Sequence, residues 1–228
     1  MKARFRIILM LIFFSFSHNA FSDDELSAIT IPTESENINV YYSKKYSTII
    51  NQDITDESGI KTIRLLETKI KADSNESYII DFDEGASWDP SFYIYRLKNK
   101  ELSRIGLINA LKIIIPGDGY FYTSGHVNNM FNQWRKWTIE NDNLKEIKQP
   151  FYYVGIESRI KKDIDIFYDI KMTSIVEHIR KGTLVNVLMN YNNDYYLIKS
   201  EYGLTGWLKI PNGSKEETIL DGIFYAGD

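Results

Sequence analysis

Residues 181–210 read KGTLVNVLMNYNNDYYLIKSEYGLTGWLKI, the one stretch of the chain in which turn chemistry and side-chain alternation together specify a small fold. Leu184, Val185 and Val187 open a strand, and the cluster Asn192, Asn193 and Asp194 ends it with residues that tolerate positive φ and hydrogen-bond their own backbone. That is a hairpin turn. Residues 195–200 return as a second strand, residues 201–203 turn again, and Gly206-Trp207-Leu208 lead a third strand back, the glycine admitting a close backbone approach. By alternation Tyr196 and Ile198 point to one face, and Tyr195, Leu197 and Lys199 to the other.

At these residues the chain resembles the bacterial Src-homology-3-like domain. The resemblance rests on Lys181-Gly182-Thr183, the strand at residues 185–188, Asp194-Tyr195-Tyr196 and Gly203-Leu204-Thr205-Gly206-Trp207, with Tyr195 where that family more often has Trp. It covers residues 164–210 and implies a small β-barrel that binds peptides or cell-wall material. It names no ligand.

Composition points the same way. The chain has 228 residues, enough for one large or two small cored domains, and its 16 Tyr and 12 Phe suit sheets whose faces are filled by rings. The expected class is all-β: an N-terminal antiparallel sheet or open barrel, then the small Src-homology-3-like barrel. Residues 1–22 read as a signal peptide, with Lys2, Arg4 and Arg6 before an apolar run at 7–16 and a small-x-small step at Ala20-Phe21-Ser22. The run is shorter than the roughly 20 residues a membrane span needs. Cleavage before Asp23 removes three positive charges and takes the formal charge from -4 to -7, a poor balance for nucleic acid or anionic lipid. The expected location is the periplasm or the medium. With 0 cysteines there is neither a disulfide, nor a thiol nucleophile, nor cysteine-ligated zinc.

Residues 23–59, rich in Asp, Glu, Ser, Thr and Asn, read as a loose polar arm carrying one strand. Residues 60–157 read as an antiparallel β domain, its strands punctuated by Gly85, Pro90, Pro116-Gly117 and Gly119, with residues 110–115 as a strand buried on both faces. Within it, Tyr95, Leu97, Asn99, Leu102 and Ile105 recur as Trp137, Ile139, Asn141, Leu144 and Ile147, two similar hairpins expected in one sheet or open barrel. Two copies are too few for a propeller, which takes about four blades or more. The run at 149–156 closes this domain, and residues 158–228 form the barrel and a tail whose Ile223, Phe224 and Tyr225 dock on one of the domains.

Chemistry is sparse. Ser124 and His126 with Asp118 form the one set that offers hydroxyl, imidazole and carboxylate, but residues so close in sequence seldom assemble a triad, and ordinary turn chemistry explains them. His18, His126 and His178 lack ligand spacing, and Asp81, Asp83 and Glu84 lack the alternation and glycine of a calcium loop, so neither metal nor cofactor is expected. In Trp134-Arg135-Lys136-Trp137 one Trp is expected in the core and the other on a sheet face beside its Lys neighbour.

Two functions fit. One is a non-enzymatic envelope binding protein whose barrel recognises a peptide, peptidoglycan or protein through Tyr191, Tyr195, Tyr202 and Trp207, an inhibitor or immunity-like role being a form of it. The other is a small exported hydrolase that works in the N-terminal domain and uses the barrel for targeting.

Overall fold

The computed structural model describes residues 26–33, 36–55, 59, 61–85, 89–215 and 219–227. The leader and its cleavage point lie outside them. Among the described residues there is no helix; the fold is all-β.

The first unit comprises β1 (Leu26–Pro32), β2 (Asn37–Ser43), β3 (Ser47–Thr55), β4 (Lys61–Thr68), β5 (Ser77–Asp83), β6 (Ser91–Lys98), β7 (Glu101–Asn109), β8 (Lys112–Ile115), β9 (Phe121–Ser124), β10 (Arg135–Glu140) and β11 (Asn143–Ile147). They form two sheets, β1-β2-β8-β9-β10-β11 and the meander β3-β4-β5-β6-β7, every pair antiparallel except β2 with β8. Both sheets turn their apolar faces into one core. Ile38, Val40, Tyr42, Ile113, Ile115 and Phe121 come from one sheet, and Leu66, Ile80, Phe82, Phe92, Ile94 and Ile108 from the other. The chain crosses between them at the turn after Ser43, then pins the Pro116-Gly117 loop back under that turn, where a Cβ on Gly117 would strike the Tyr46 ring.

Three expectations change here. The described residues of the polar arm, 26–33, 36–55 and 59, are not loose: they supply β1, β2 and β3, and β2 alternates its way into the core with Ile38, Val40 and Tyr42. The continuous apolar strand proves one-sided, with Ile113 and Ile115 inside and Ile114 outside, because its sheet has only one covered face. The two similar hairpins are real, each turning through a pair of positive-φ residues, Asn99-Lys100 and Asn141-Asp142, as two-residue hairpin turns of the primed kind require. They lie in different sheets. They face each other across the sandwich at its edge, close enough that a Cβ on Gly106 of β7 would lie 2.7 Å from the Leu144 Cβ of β11, and Arg96 pairs with Asp142 between them.

The second unit comprises β12 (Tyr152–Arg159), β13 (Ile164–Phe167), β14 (Ile175–Ile179), β15 (Leu184–Tyr191), β16 (Tyr195–Lys199) and β17 (Thr205–Lys209), in the order β12-β15-β16-β17-β13-β14. The strand expected to close the first domain is β12, and it pairs with β15. The boundary therefore falls near Pro150 rather than at residues 157 and 158. Tyr152 and Val154 of β12 share one core with Ile164 and Ile166 of β13 and Ile179 of β14, so the sheet curls around that core. Gly206 seats β17: an added Cβ would lie 2.9 Å from the Ile166 Cβ, within the range where something must shift.

The tail completes this core and ties the units together. Leu220 and Ile223 are buried in it, as are Met130 and Phe131 from the loop between β9 and β10. Phe224 and Ala226 donate their amides to the carbonyls of Met130 and Asn129.

Candidate ligand-binding face

The turn at Asn192 and Asn193, both at positive φ, fixes the β15–β16 register, so Tyr191 stands opposite Tyr195. Tyr196 and Ile198 point inward, fully buried, as alternation requires. Burial pushes the Tyr196 phenol well above its usual range, and its hydroxyl has no partner inside the core.

The opposite, outward face carries an apolar row that runs across five strands. Tyr153 of β12 stands opposite Met189 of β15, Met189 opposite Leu197 of β16, Leu197 opposite Trp207 of β17, and Trp207 opposite Phe167 of β13. None of the five is buried, and Tyr153 is 69% exposed. Its ring lies over a bulge at Gly155, which sits at φ +65 where a Cβ would collide with it. Beside this row Tyr191 packs edge-on to Trp207 at 6.2 Å and against the exposed Phe151 at 5.5 Å. The Lys209 ammonium lies 5.6 Å from the Tyr195 ring centre.

Of the sequence-predicted site residues, Tyr191, Tyr195 and Trp207 are thus gathered on one face. Tyr202 is not. It is 79% exposed in the turn at the far end of β16, and the four-residue rise of that strand puts about 13 Å between the two ends. The sequence reading missed Tyr153 because it assigned β12 to the other domain. Leu197 and Met189 it passed over because a lone aliphatic side chain on an outward face carries no signal of its own.

The remaining candidates are held apart. Asp118 accepts hydrogen bonds from the Tyr120 amide and the Tyr122 hydroxyl on the outside of the first sheet. Ser124 is buried within β9. His126 Nε2 lies 2.8 Å from the Phe224 carbonyl, its ring against the Phe224 ring, so it holds the tail. Asp81, weighed above as a calcium-loop oxygen, is buried and takes a bidentate pair of hydrogen bonds from Arg64 at 3.0 Å each. That bond holds the Arg64 guanidinium even above its usual range despite burial. Trp137 lies against the first core with its Nε1 donating to Thr123, while Trp134 is on the surface beneath Lys112 rather than beside Lys136.

Compared with family models, curated proteins and solved structures, the chain matches none. No helix among the described residues is long and apolar enough to cross a membrane.

Proposed function

We propose that the protein is an exported, non-enzymatic binding protein of the bacterial cell envelope. Its second unit is a small Src-homology-3-like barrel that recognises a peptide, peptidoglycan or an envelope protein on its outward aromatic face. The observation that carries this is the row Tyr153, Met189, Leu197, Trp207 and Phe167, flanked by Tyr191 and Tyr195. The core of this unit is already complete on the other side of the sheet, so folding gives no reason for a contiguous, partly exposed apolar row on the outer side. Rings with only two χ angles make a rigid surface at little entropic cost, which suits capture of an extended chain. The separate engagement of Asp118 and His126, with Ser124 buried in β9, supports binding over a hydrolase built from those groups.

The test is co-sedimentation of the purified protein with isolated cell-wall sacculi, and capture of envelope extract on the immobilised protein. We expect Trp207→Ala and Tyr195→Ala to lower retention at least tenfold while leaving the far-ultraviolet spectrum unchanged, since central aromatic anchors carry most of an interface's energy. Retention equal to wild type in both folded variants would reject this face.

A further inference from the structure

A pocket of about 270 Å³ opens where the two units meet, and its chemistry differs from the aromatic face. Asn128, Asn129 and Gln133 line it from the first unit, and Asn190, Asn193 and Asn212 from the second. Two of these amides are fastened through their nitrogen. Asn129 Nδ2 donates to the Gly125 carbonyl at 3.0 Å, and Asn190 Nδ2 to the carbonyls of Asn193 and Tyr195 at 3.0 and 3.3 Å. Both residues are closely packed, 8% and 1% exposed, which orients their carboxamides and leaves Asn129 Oδ1 buried with no hydrogen-bond donor. Gln133 is fastened the other way. Its Oε1 accepts from Arg135 Nε and Nη2, so its amino group is the end left to donate.

The charged side chains at this junction are engaged within it: Glu146 pairs with Lys148, and Arg135 is held on a neutral amide. Glu146 accepts the Tyr152 hydroxyl at 2.6 Å and Lys148 Nζ at 2.9 Å, and Arg135 is turned onto Gln133. What remains is a wall made mostly of oriented carboxamide acceptors and donors, with the remaining charge, on Arg135, held against Gln133. A sugar hydroxyl is both donor and acceptor and is the group such a wall matches. At ~30 Å³ for each displaced water the volume equals about nine waters, room for a single ring. Junctions between units are also common places for small-molecule sites.

We propose that this carboxamide pocket binds one ring of a neutral sugar. The assignment stands independently of the aromatic face.

The experiment is a titration of the ¹⁵N-labelled full-length folded protein with methyl β-D-glucopyranoside, N-acetyl-D-glucosamine and, as the charged counterpart, D-glucuronate, followed by two-dimensional NMR. A ring of this size should bind with a Kd on the order of 1 mM. Saturable shifts are expected at the side-chain amides of Asn129, Gln133 and Asn190 for at least one neutral sugar. Binding should weaken at least tenfold in Gln133→Leu and in Asn212→Ala, the latter on an exposed turn where the change leaves folding intact, and should be unchanged in Trp207→Ala. Loss in Trp207→Ala alone would move the sugar to the aromatic face and overturn the pocket. So would tighter binding of glucuronate than of either neutral ring, or no saturable shift from either neutral ring at concentrations well above that Kd.

Discussion

On the outward face of the first sheet, Lys136 Nζ lies 3.6 Å from the Tyr120 ring centre and 5.4 Å from that of Tyr122, and Lys112 Nζ covers Tyr41 and Trp134 at 5.7 and 5.4 Å. The Tyr122 hydroxyl donates to Asp118 as well. On the outward face of the second sheet the rings contact each other instead, and among the described lysines there Lys209 alone stands over a ring, that of Tyr195. Both faces are aromatic rows on twisted antiparallel strands. In one, lysine stems lie along the rings and put ammonium groups at the water boundary, so the apolar area is broken up. In the other it is continuous. A sheet face needs no uncovered row to be stable, and this contrast is what the proposed binding role of the second face rests on.

The largest effect should come from unseating the strand that carries the centre of the row. Gly206→Ala places a methyl 2.9 Å from the Ile166 Cβ, a fully buried neighbour with nowhere to move. Overpacking of this kind costs typically about 1–3 kcal/mol, so thermal melting should show a clear drop in Tm, with Trp207 displaced and the proposed retention on cell-wall sacculi or envelope extract lost with it. A variant as stable as wild type would mean that β17 is not pressed onto β13 as described.

An exchange of the two finishes tests whether the lysines make the difference. Lys112→Met with Lys136→Met keeps the stems and removes both charges, which should cost about 0.5–1 kcal/mol for each contact and raise the binding of a hydrophobic dye to the first sheet. Met189→Lys should do the reverse on the second. If dye binding is unmoved by the double change, the covering lysines are not what separates the faces.

How much of this was legible in the chain depends on the range of the interactions. The inward Tyr196 and outward Tyr195 follow from a local turn and an alternation of two, and both hold because Asn192 and Asn193 fix the register within a few residues. The paired hairpins were legible for the same reason. What escaped were partners chosen at a distance. β2 pairs in parallel with β8 across some seventy intervening positions, at about 3.3 Å rise per residue in neither case a local geometry. β12 looks like a strand but nothing in its residues says whether β11 or β15 will accept it. β3 is largely exposed at a sheet edge, so its composition is that of a loop. Tyr202 and Tyr191 each flank a connecting turn, which groups them in the sequence, but the length of β16 separates the two turns. The row itself could be seen only once five strands were in register, because it takes one residue from each.

The smallest effect is expected where the two regions meet. Glu146, near the end of β11, accepts the hydroxyl of Tyr152 at the start of β12 and the ammonium of Lys148, so this carboxylate links the lysine-covered sheet to the one bearing the row. Burial works to raise its pKa, but the hydrogen bonds from Tyr152 and Lys148, with the positive charges of Lys148 and Arg135, outweigh it, and the net shift is downward. Tyr152 shifts the other way: burial first, then the bond to Glu146 and its charge, push the phenol up to about 12. The signs follow. A carboxylate whose folded pKa is depressed stabilises the fold above its ordinary value near 4.5 and loses that contribution as pH falls through the folded value. A phenol whose folded pKa is raised stabilises below its ordinary value of 10.0 and loses the contribution as pH rises toward about 12. Because the groups are partly open to water, the acid-side loss should be only about 0.2–1 kcal/mol. Melting curves of wild type and Glu146→Gln should therefore differ at pH 7 and converge below pH 4. Curves that stay separated by the same amount at both values would show that the carboxylate's charge is not what joins the two sheets, and that the contrast between their outer faces is set by each sheet alone.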